Sequence, residues 1–500
     1  MPEPAGELKL IADAAGKDRR TGMPLWWRRA ARAGVPTLGS ASEAGPNDCV
    51  VVVRGNPERA RREAGGPGRG SLSPWIMNAS SSEVTALSPE QLEARLRREG
   101  IPAHIGVSRA DRSETGNGSE GTPITVAVWG LEAVEMRRDF AGGAGRAYGR
   151  AKPEAGYADA SSIGQEHPLW KPAAKLAARA IYCLGLDYGQ VRLKLSDQGR
   201  FSVTEVSPEP RLATREGAGR WREAVLAFAD AWRLETSGTV AGTTLGADPE
   251  FVLVSKAGKV VPASRYFPTD GEAGCDSIRV GGEKIWPLVE LRPRPRREPS
   301  QLAAELRRLL LAADERTEGA AASWRAGALP IPGLPLGGHV HVGGAALHGE
   351  RLRALDNAVA LPLRLLEPAG AAGRRPKYGA LGDFRRQPHG GFEYRTPPSW
   401  LVSPRLTIGV LALAKVAAEH SRELASAGRP LDEARVRGAF YEGERSVLAE
   451  AASRVYEAIS RTKGYSAYRE EIDFVFGAIA DGRSWNEKAD IRIKWRIPIR

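Results

Sequence analysis

The 500-residue chain is poor in cysteine, methionine and aromatic residues, and it has no long apolar run. Its three cysteines, Cys49, Cys183 and Cys275, are far apart and share no CxxC spacing. A zinc ribbon and a disulfide framework are therefore excluded, and reduced, mostly buried thiols are expected. The longest apolar stretch, 406–418, is interrupted by Lys415 and falls short of the roughly 20 residues a bilayer span needs. The first twenty residues carry acids and lack the apolar block of roughly 7–15 residues found in signal peptides, so a cytoplasmic protein without a membrane partner is expected. No zinc-finger, RNA-recognition or helix-turn-helix pattern occurs. Nucleic acid is therefore not expected as a partner.

Arginine and lysine exceed the acids by 12 charges, but the arginines are mostly interleaved with glutamate on helix-like segments such as 90–100. That pattern reads first as a solvated surface, and second as a positive field over clefts that receive phosphate or carboxylate. The length calls for two to four domains. Residues 1–120 read as an N-terminal α/β region with a β-rich run at 49–54, a helix at 89–99 and Gly/Ser-rich loops at 64–74 and 108–123. In 121–238 a strand at 124–129 precedes a glycine-rich stretch at 141–149 that lacks the Lys-Ser/Thr of a P-loop. A helix at 170–184, a hairpin at 188–206 turning on Asp197, Gln198 and Gly199, and a helix at 221–233 follow. The hydrophobic pattern stops near 240, which sets a boundary before 239–500. There, short strands alternate with helices at 300–316 and 350–367, and the end is helical. The basic tail 482–500 completes this region as a strand or serves as a contact surface.

Four segments after the boundary carry polar residues at i and i+2, positions that share one face of a strand. They pair Asp248 with Glu250, Glu290 with Arg292, His339 with His341, and Glu393 with Arg395. Phe251, Leu253, Val289, Leu291, Val340, Val342, Phe392 and Tyr394 fall on the opposite faces. Taken singly, each pair has an ordinary reading: surface histidines, a turn carboxylate, a structural salt bridge. Four such strands with apolar backs imply one sheet with a chemical face. Carboxylates and imidazoles suit divalent cations, and arginines suit phosphate or carboxylate. Tyr378, in RRPKYGA (374–380), and Arg385 belong to an arginine-rich connection expected to lie over that face.

The segments GADPEF (246–251), VELRP (289–293), GGHVHVG (337–343), RRPKYG (374–379) and EYRTPPSWL (393–401), in this order, resemble the phage-type amidoligases. These are carboxylate–amine ligases of type 2 with a glutamine-synthetase-like catalytic fold, and the likeness spans about 240–420. It implies an α+β protein whose second part is an antiparallel sheet domain with flanking helices. It also implies ATP as co-substrate, Mg2+ or Mn2+ as cofactor, and an amide formed through an acyl phosphate. Carried onto this sequence, Asp248, Glu250, Glu290, His339, His341 and Glu393 would lie at the metal. Arg292, Arg385, Arg395 and Glu393 would be catalytic, and Arg375, Tyr378 and Arg395 would bind nucleotide or substrate. The substrates would be small-molecule or peptide carboxylates and amines, and an oligomer is compatible with these features.

Residues 180–191 followed by 201–210 resemble the closing segment of an ATP-grasp domain, so an ATP-grasp-like α/β region is expected before the amidoligase. That resemblance puts Glu205 and Ser207 at a second site. Arg192 and Ser207 depart from its pattern of acids and asparagine, so a scaffold or substrate-recruiting role stands beside a second ligase module. Two rival readings of the second half are a metal-dependent amide hydrolase using His339 and His341, and a non-catalytic assembly protein on a ligase fold.

Overall fold

The computed structural model describes residues 5–12, 24–53, 55–65, 72–106, 121–139, 161–238, 242–388, 390–426 and 429–499. The glycine-rich stretch 141–149 and most of the loop 108–123 lie outside these residues. The chain divides into two compact units, Met1–Val240 and Ala241–Arg500. Both mix helices and strands, and antiparallel sheets dominate the second. No helix among the described residues is long and apolar enough to cross a membrane.

In the first unit, Leu8–Ala12 (β1), Thr37–Leu38 (β2), Cys49–Val53 (β3) and Trp75–Ile76 (β4) form a parallel sheet in the order β2-β1-β3-β4. The run of valines in β3 is buried at every position, as a parallel strand covered on both faces requires. A second, antiparallel sheet is built from Thr122–Trp129 (β5), Glu132–Arg138 (β6), Ser161–Ser162 (β7), Tyr188–Leu195 (β8) and Phe201–Ser207 (β9), in the order β7-β6-β5-β8-β9. The expected hairpin at 188–206 is the β8–β9 pair. The helix expected at 221–233 starts earlier and runs Arg215–Thr236, because Thr214 caps it by accepting from the Gly217 N–H at 2.9 Å. Trp27, Trp129, Tyr188 and Trp221 meet mostly edge to face, with centroids 5.3–6.3 Å apart, in the core of this unit. All three cysteines are free and buried.

The second unit is organised by an eight-stranded sheet. Its strands are Thr244–Ser255 (β10), Val260–Val261 (β11), Ala273–Val280 (β12), Glu283–Leu291 (β13), Ala322–Arg325 (β14), Gly338–Gly343 (β15), Phe384–Arg386 (β16) and Phe392–Tyr394 (β17). Six of them run β12-β13-β10-β15-β17-β16, all antiparallel, while β11 and β14 also pair with β10. Helix Pro299–Arg316 begins on Pro299, suited to a first turn whose N–H groups have no partner. It buries Leu302, Leu306, Leu309, Leu310 and Ala313 at helical spacing. The apolar run 406–418 forms most of helix Pro404–Glu419, which is buried on nearly every side. A helix apolar all round belongs inside a large core, and Ser403 starts it by accepting from the Leu406 N–H at 3.3 Å.

The continuous helix expected at 350–367 is broken in register. Gly349–Leu355 is α-helical, Asp356–Ala360 forms a wider π turn, and Leu361–Leu366 resumes the α-helix. Pro362 has no N–H to donate, and its ring crowds the carbonyl of Ala358, four residues back and inside the widened turn.

Candidate active site

The four strands with polar pairs are neighbours, and their registers face those pairs onto one another. Glu250 lies opposite Glu290, Asp248 opposite His339, and His341 opposite Glu393. Arg385 on β16 also lies opposite Glu393. Side chains at such positions are close enough to touch. On the reverse face Phe251, Leu253, Val289, Leu291, Val340, Val342, Phe392 and Tyr394 are buried, and Phe251 stacks on Trp324 at 4.8 Å. Burying each large apolar side chain contributes about 1.5–3 kcal/mol, which fixes the register and therefore the chemical face. Further along β10 that face changes to Val252 and Val254, which pack with Leu288, Leu334 and Leu336 and give the polar patch an apolar border.

Two groups of candidate cation ligands result. The ligand atoms of Asp248, His341 and Glu393 lie within 4.8 Å of one another, as do those of Glu250, Asp276 and Glu290. His339 joins the first group, with Nδ1 3.0 Å from Asp248 Oδ1 and 3.2 Å from Glu393 Oε1. His341 Nε2 lies 3.1 Å from Asp248 Oδ2. These approaches are short but misaligned: Asp248 Oδ1, His339 Nδ1, His341 Nε2 and Glu393 Oε1 are all buried without a hydrogen-bond partner. Buried polar atoms are normally satisfied. An oxygen and imidazole donor set left unsatisfied around a common point fits a divalent cation.

The electrostatics agree with that fit. Burial pushes the Glu250 carboxyl up to about 8; Asp276 and Glu290 add to the rise, while His339 and the Gly337 N–H oppose it. Burial and the Asp248 charge push Glu290 up to about 7 despite Arg292 beside it. Burial would raise Asp248 too, but the charges of His339 and His341 outweigh it and hold Asp248 below the ordinary carboxylate range. His339 is disfavoured as a cation by burial, yet Asp248 raises it above the usual imidazole value. Carboxyls pushed this high mark a place with too little positive charge for the acids it holds.

Arginines flank the site, Arg385 and Arg395 at the β17 side and Arg292 at the β13 side. Arg395 Nε lies 2.9 Å and Arg385 Nη1 3.1 Å from the two oxygens of Glu393, and Gln387 Nε2 donates to Glu393 at 3.2 Å. Glu393 is 1% exposed, whereas the side chains of Arg385 and Arg395 are 58% and 25% exposed and can turn toward a ligand. Arg292 pairs with Glu290 and donates to the Gly271 carbonyl at 3.1 Å. Asp276 and Gln387 were missed in the sequence. Asp276 sits two residues after Gly274, which faces Glu290, and Gln387 sits two residues after Arg385. The same i, i+2 rule applied to β12 and to the segment after Phe384 would have found both.

Arg375 is a correction. It does not reach the chemical face: both terminal nitrogens bind Glu367, at 2.7 and 2.6 Å, and its guanidinium lies 4.8 Å from the Phe440 ring centroid. Glu367 is fully buried, and such a carboxylate needs a bidentate cation. Tyr378 is also placed differently. It is 43% exposed, with the Lys377 ammonium over its ring.

In the first unit Arg192 lies opposite Glu205 and pairs with it at 2.6 Å, and its Nε is 3.4 Å from Asp139. The Ser207 hydroxyl turns to the backbone of Glu209. Among the described residues Glu205 belongs to no group of three cation ligands, so these residues do not assemble a magnesium site. Among the described residues, the cation-ligand groups lie in the second unit.

Residues 245–497, slightly more than half the chain, match the family described as phage phiEco32-like COOH.NH2 ligase-type 2. The chain belongs to this family of carboxylate–amine ligases, and it is a ligase. No curated protein matches it. Solved structures similar to it include the ATP-grasp ligase PsnB complexed with precursor peptide and AMPPNP, at 13% identity over 45% of this chain and 98% of that one, with a TM-score of 0.29. PsnB complexed with minimal precursor, Mg and ADP is similar at 12% identity over 45% of this chain and 98% of that one, again with a TM-score of 0.29. D-cycloserine synthetase DcsG is similar at 14% identity over 45% of this chain and all of that one, with a TM-score of 0.28. Scores this low carry no residue-level correspondence.

Proposed function

We propose that the second unit uses ATP to activate a carboxylate as an acyl phosphate and then joins it to an amine. The observation that supports this best is the convergence of unsatisfied, buried Asp248, His339, His341 and Glu393 atoms beside a second acidic group and three arginines. Asp248, His341 and Glu393 would hold one Mg2+ or Mn2+, with His339 beside them, and Glu250, Asp276 and Glu290 would hold another. Bound there, the cations would supply charge neutralisation for phosphate oxygens. Arg385 and Arg395, which lie against Glu393, would turn to the transferred phosphoryl group, and Arg292 would serve the substrate carboxylate. In the first step a carboxylate oxygen attacks the γ-phosphorus and ADP leaves. In the second the amine nitrogen attacks the acyl carbon, orthophosphate leaves and the amine loses a proton.

Amide-forming chemistry of this kind fits small-molecule or peptide substrates in the cytoplasm, and 1–120, 121–238 and 239–500 would be the three parts of the chain. With Arg192 on Glu205, a scaffold or substrate-recruiting role suits 121–238 better than a second ligase module. The deciding assay follows ADP with Mg2+, ATP and panels of carboxylates and amines. ADP formed only when both substrates are present supports the proposal. Amide cleavage without ATP would overturn it in favour of a hydrolase.

A further inference from the structure

We propose that Arg374 is a positioning residue for Glu250, acting through the single peptide group that joins Leu336 to Gly337. Arg374 Nη2 donates to the Leu336 carbonyl at 3.3 Å, and the Ser399 N–H donates to the same oxygen at 3.3 Å. The N–H of that same peptide, on Gly337, donates to Glu250 Oε2 at 2.7 Å. In return the Glu250 N–H donates to the Gly337 carbonyl at 3.0 Å. Donors that draw electron density toward a carbonyl oxygen make the N–H across the amide a better donor, a cooperative gain of about 10–30% per bond. Arg374 therefore strengthens the bond that orients the Glu250 carboxylate without touching Glu250 itself.

Elimination among its neighbours leads to the same acid. Glu367, Glu250 and Glu487 are the carboxylates that feel the Arg374 charge. Glu367 is taken by both terminal nitrogens of Arg375. Glu487 accepts from the backbone N–H groups of Ala328 and Leu329 and from Trp485 Nε1. Glu250 also accepts a backbone N–H, but it is the one of the three that belongs to a candidate cation-ligand group. Arg374 is 5% exposed, and its Nε and Nη1 are buried without hydrogen-bond partners. Donors left unmet in this way cost stability, so packing alone does not account for a guanidinium here. A glycine makes the approach possible: a Cβ on Gly379, at φ +74°, would lie 3.2 Å from Arg374 Cζ.

This inference rests on the ligase reading, in which Glu250 belongs to a cation site. The test is Mn2+ titration of the full chain, without nucleotide, followed by electron paramagnetic resonance. For Arg374→Met, which keeps the apolar stem and removes the charge and the donors, the ion held by the Glu250 group is expected to bind about 1.5–5-fold more weakly, the scale of a 10–30% weakening of one charge-assisted hydrogen bond. Arg374→Lys keeps a charge and a donor for the Leu336 carbonyl and is expected to recover most of that loss. Arg375→Lys, at the neighbouring buried position, is expected to lower Tm while leaving Mn2+ affinity unchanged. Wild-type affinity in folded Arg374→Met overturns the proposal, as does an Arg375→Lys loss equal to that of Arg374→Met. Should Arg374→Met not fold, Arg374→Gln takes its place with the same criterion. A wild-type chain that takes up no Mn2+ overturns both this proposal and the cation-site reading beneath it.

Discussion

Replacing Glu393 with glutamine removes one negative charge from the most connected acid of the site while keeping its shape. Its two oxygens face Arg385, Arg395, His339 and Gln387 at 2.9–3.2 Å. Breaking a buried ion pair usually costs about 3–5 kcal/mol, because a charge is left without compensation in the interior. Here the charges left behind belong to arginines that are 58% and 25% exposed and reach water. The stability cost should therefore fall to about 1 kcal/mol, a Tm shift of roughly 2–4 °C for a unit of this size. Losing a ligand of the cation that would neutralise the reacting phosphate should instead cost at least about 100-fold in turnover, or roughly 2.7 kcal/mol. The assay measures ADP release, with hydroxylamine as the amine to trap the activated acid as a hydroxamate, alongside a melting curve. A folded Glu393→Gln protein that turns over within a few-fold of wild type would refute the role assigned to the whole cluster.

Glu350 supplies a prediction in pH. Burial would raise its carboxyl, but Arg422 and Arg429, helped by His348, hold it below the ordinary range. A lowered folded-state value gives stability that is present above the unfolded value of about 4.3 and is lost as pH falls through the folded one. The Tm difference between wild type and Glu350→Gln should therefore be constant near neutrality and shrink below about pH 4; a difference independent of pH would contradict this. Glu205→Gln, with Arg192 already on the acid, should release ADP at a rate within about twofold of wild type, the range of a surface substitution away from a site. A 100-fold loss would restore the second-module reading.

Much of the site was legible because its logic is the two-residue repeat of a strand. Asp248, Glu250, Glu290, His339, His341 and Glu393 could be paired by counting, and the apolar residues between them said which face was inside. Arg374 and Arg375 were not separable that way. They end a short 3-10 turn at Ala369–Arg374, where neighbouring side chains leave in unrelated directions, so which guanidinium met Glu367 depended on packing between distant elements. The break at Asp356–Ala360 was hidden for a similar reason: Pro362 announces a fault in a helix but not how the backbone absorbs it. Tyr394 on β17 reaches into that turn and donates to Asp356 Oδ1 at 2.7 Å, a long-range bond no local pattern reveals.

The ligand groups come from β10, β12, β13, β15 and β17, so the last of them enters the chain more than 140 residues after the first. No nascent fragment ending before Glu393 contains the whole set, and closure across such sequence distance is slow. Filling of both proposed cation groups, rather than of the Glu250 group alone, would thus mark completed folding, and by mass action free Mg2+ would favour finished molecules over partly folded ones.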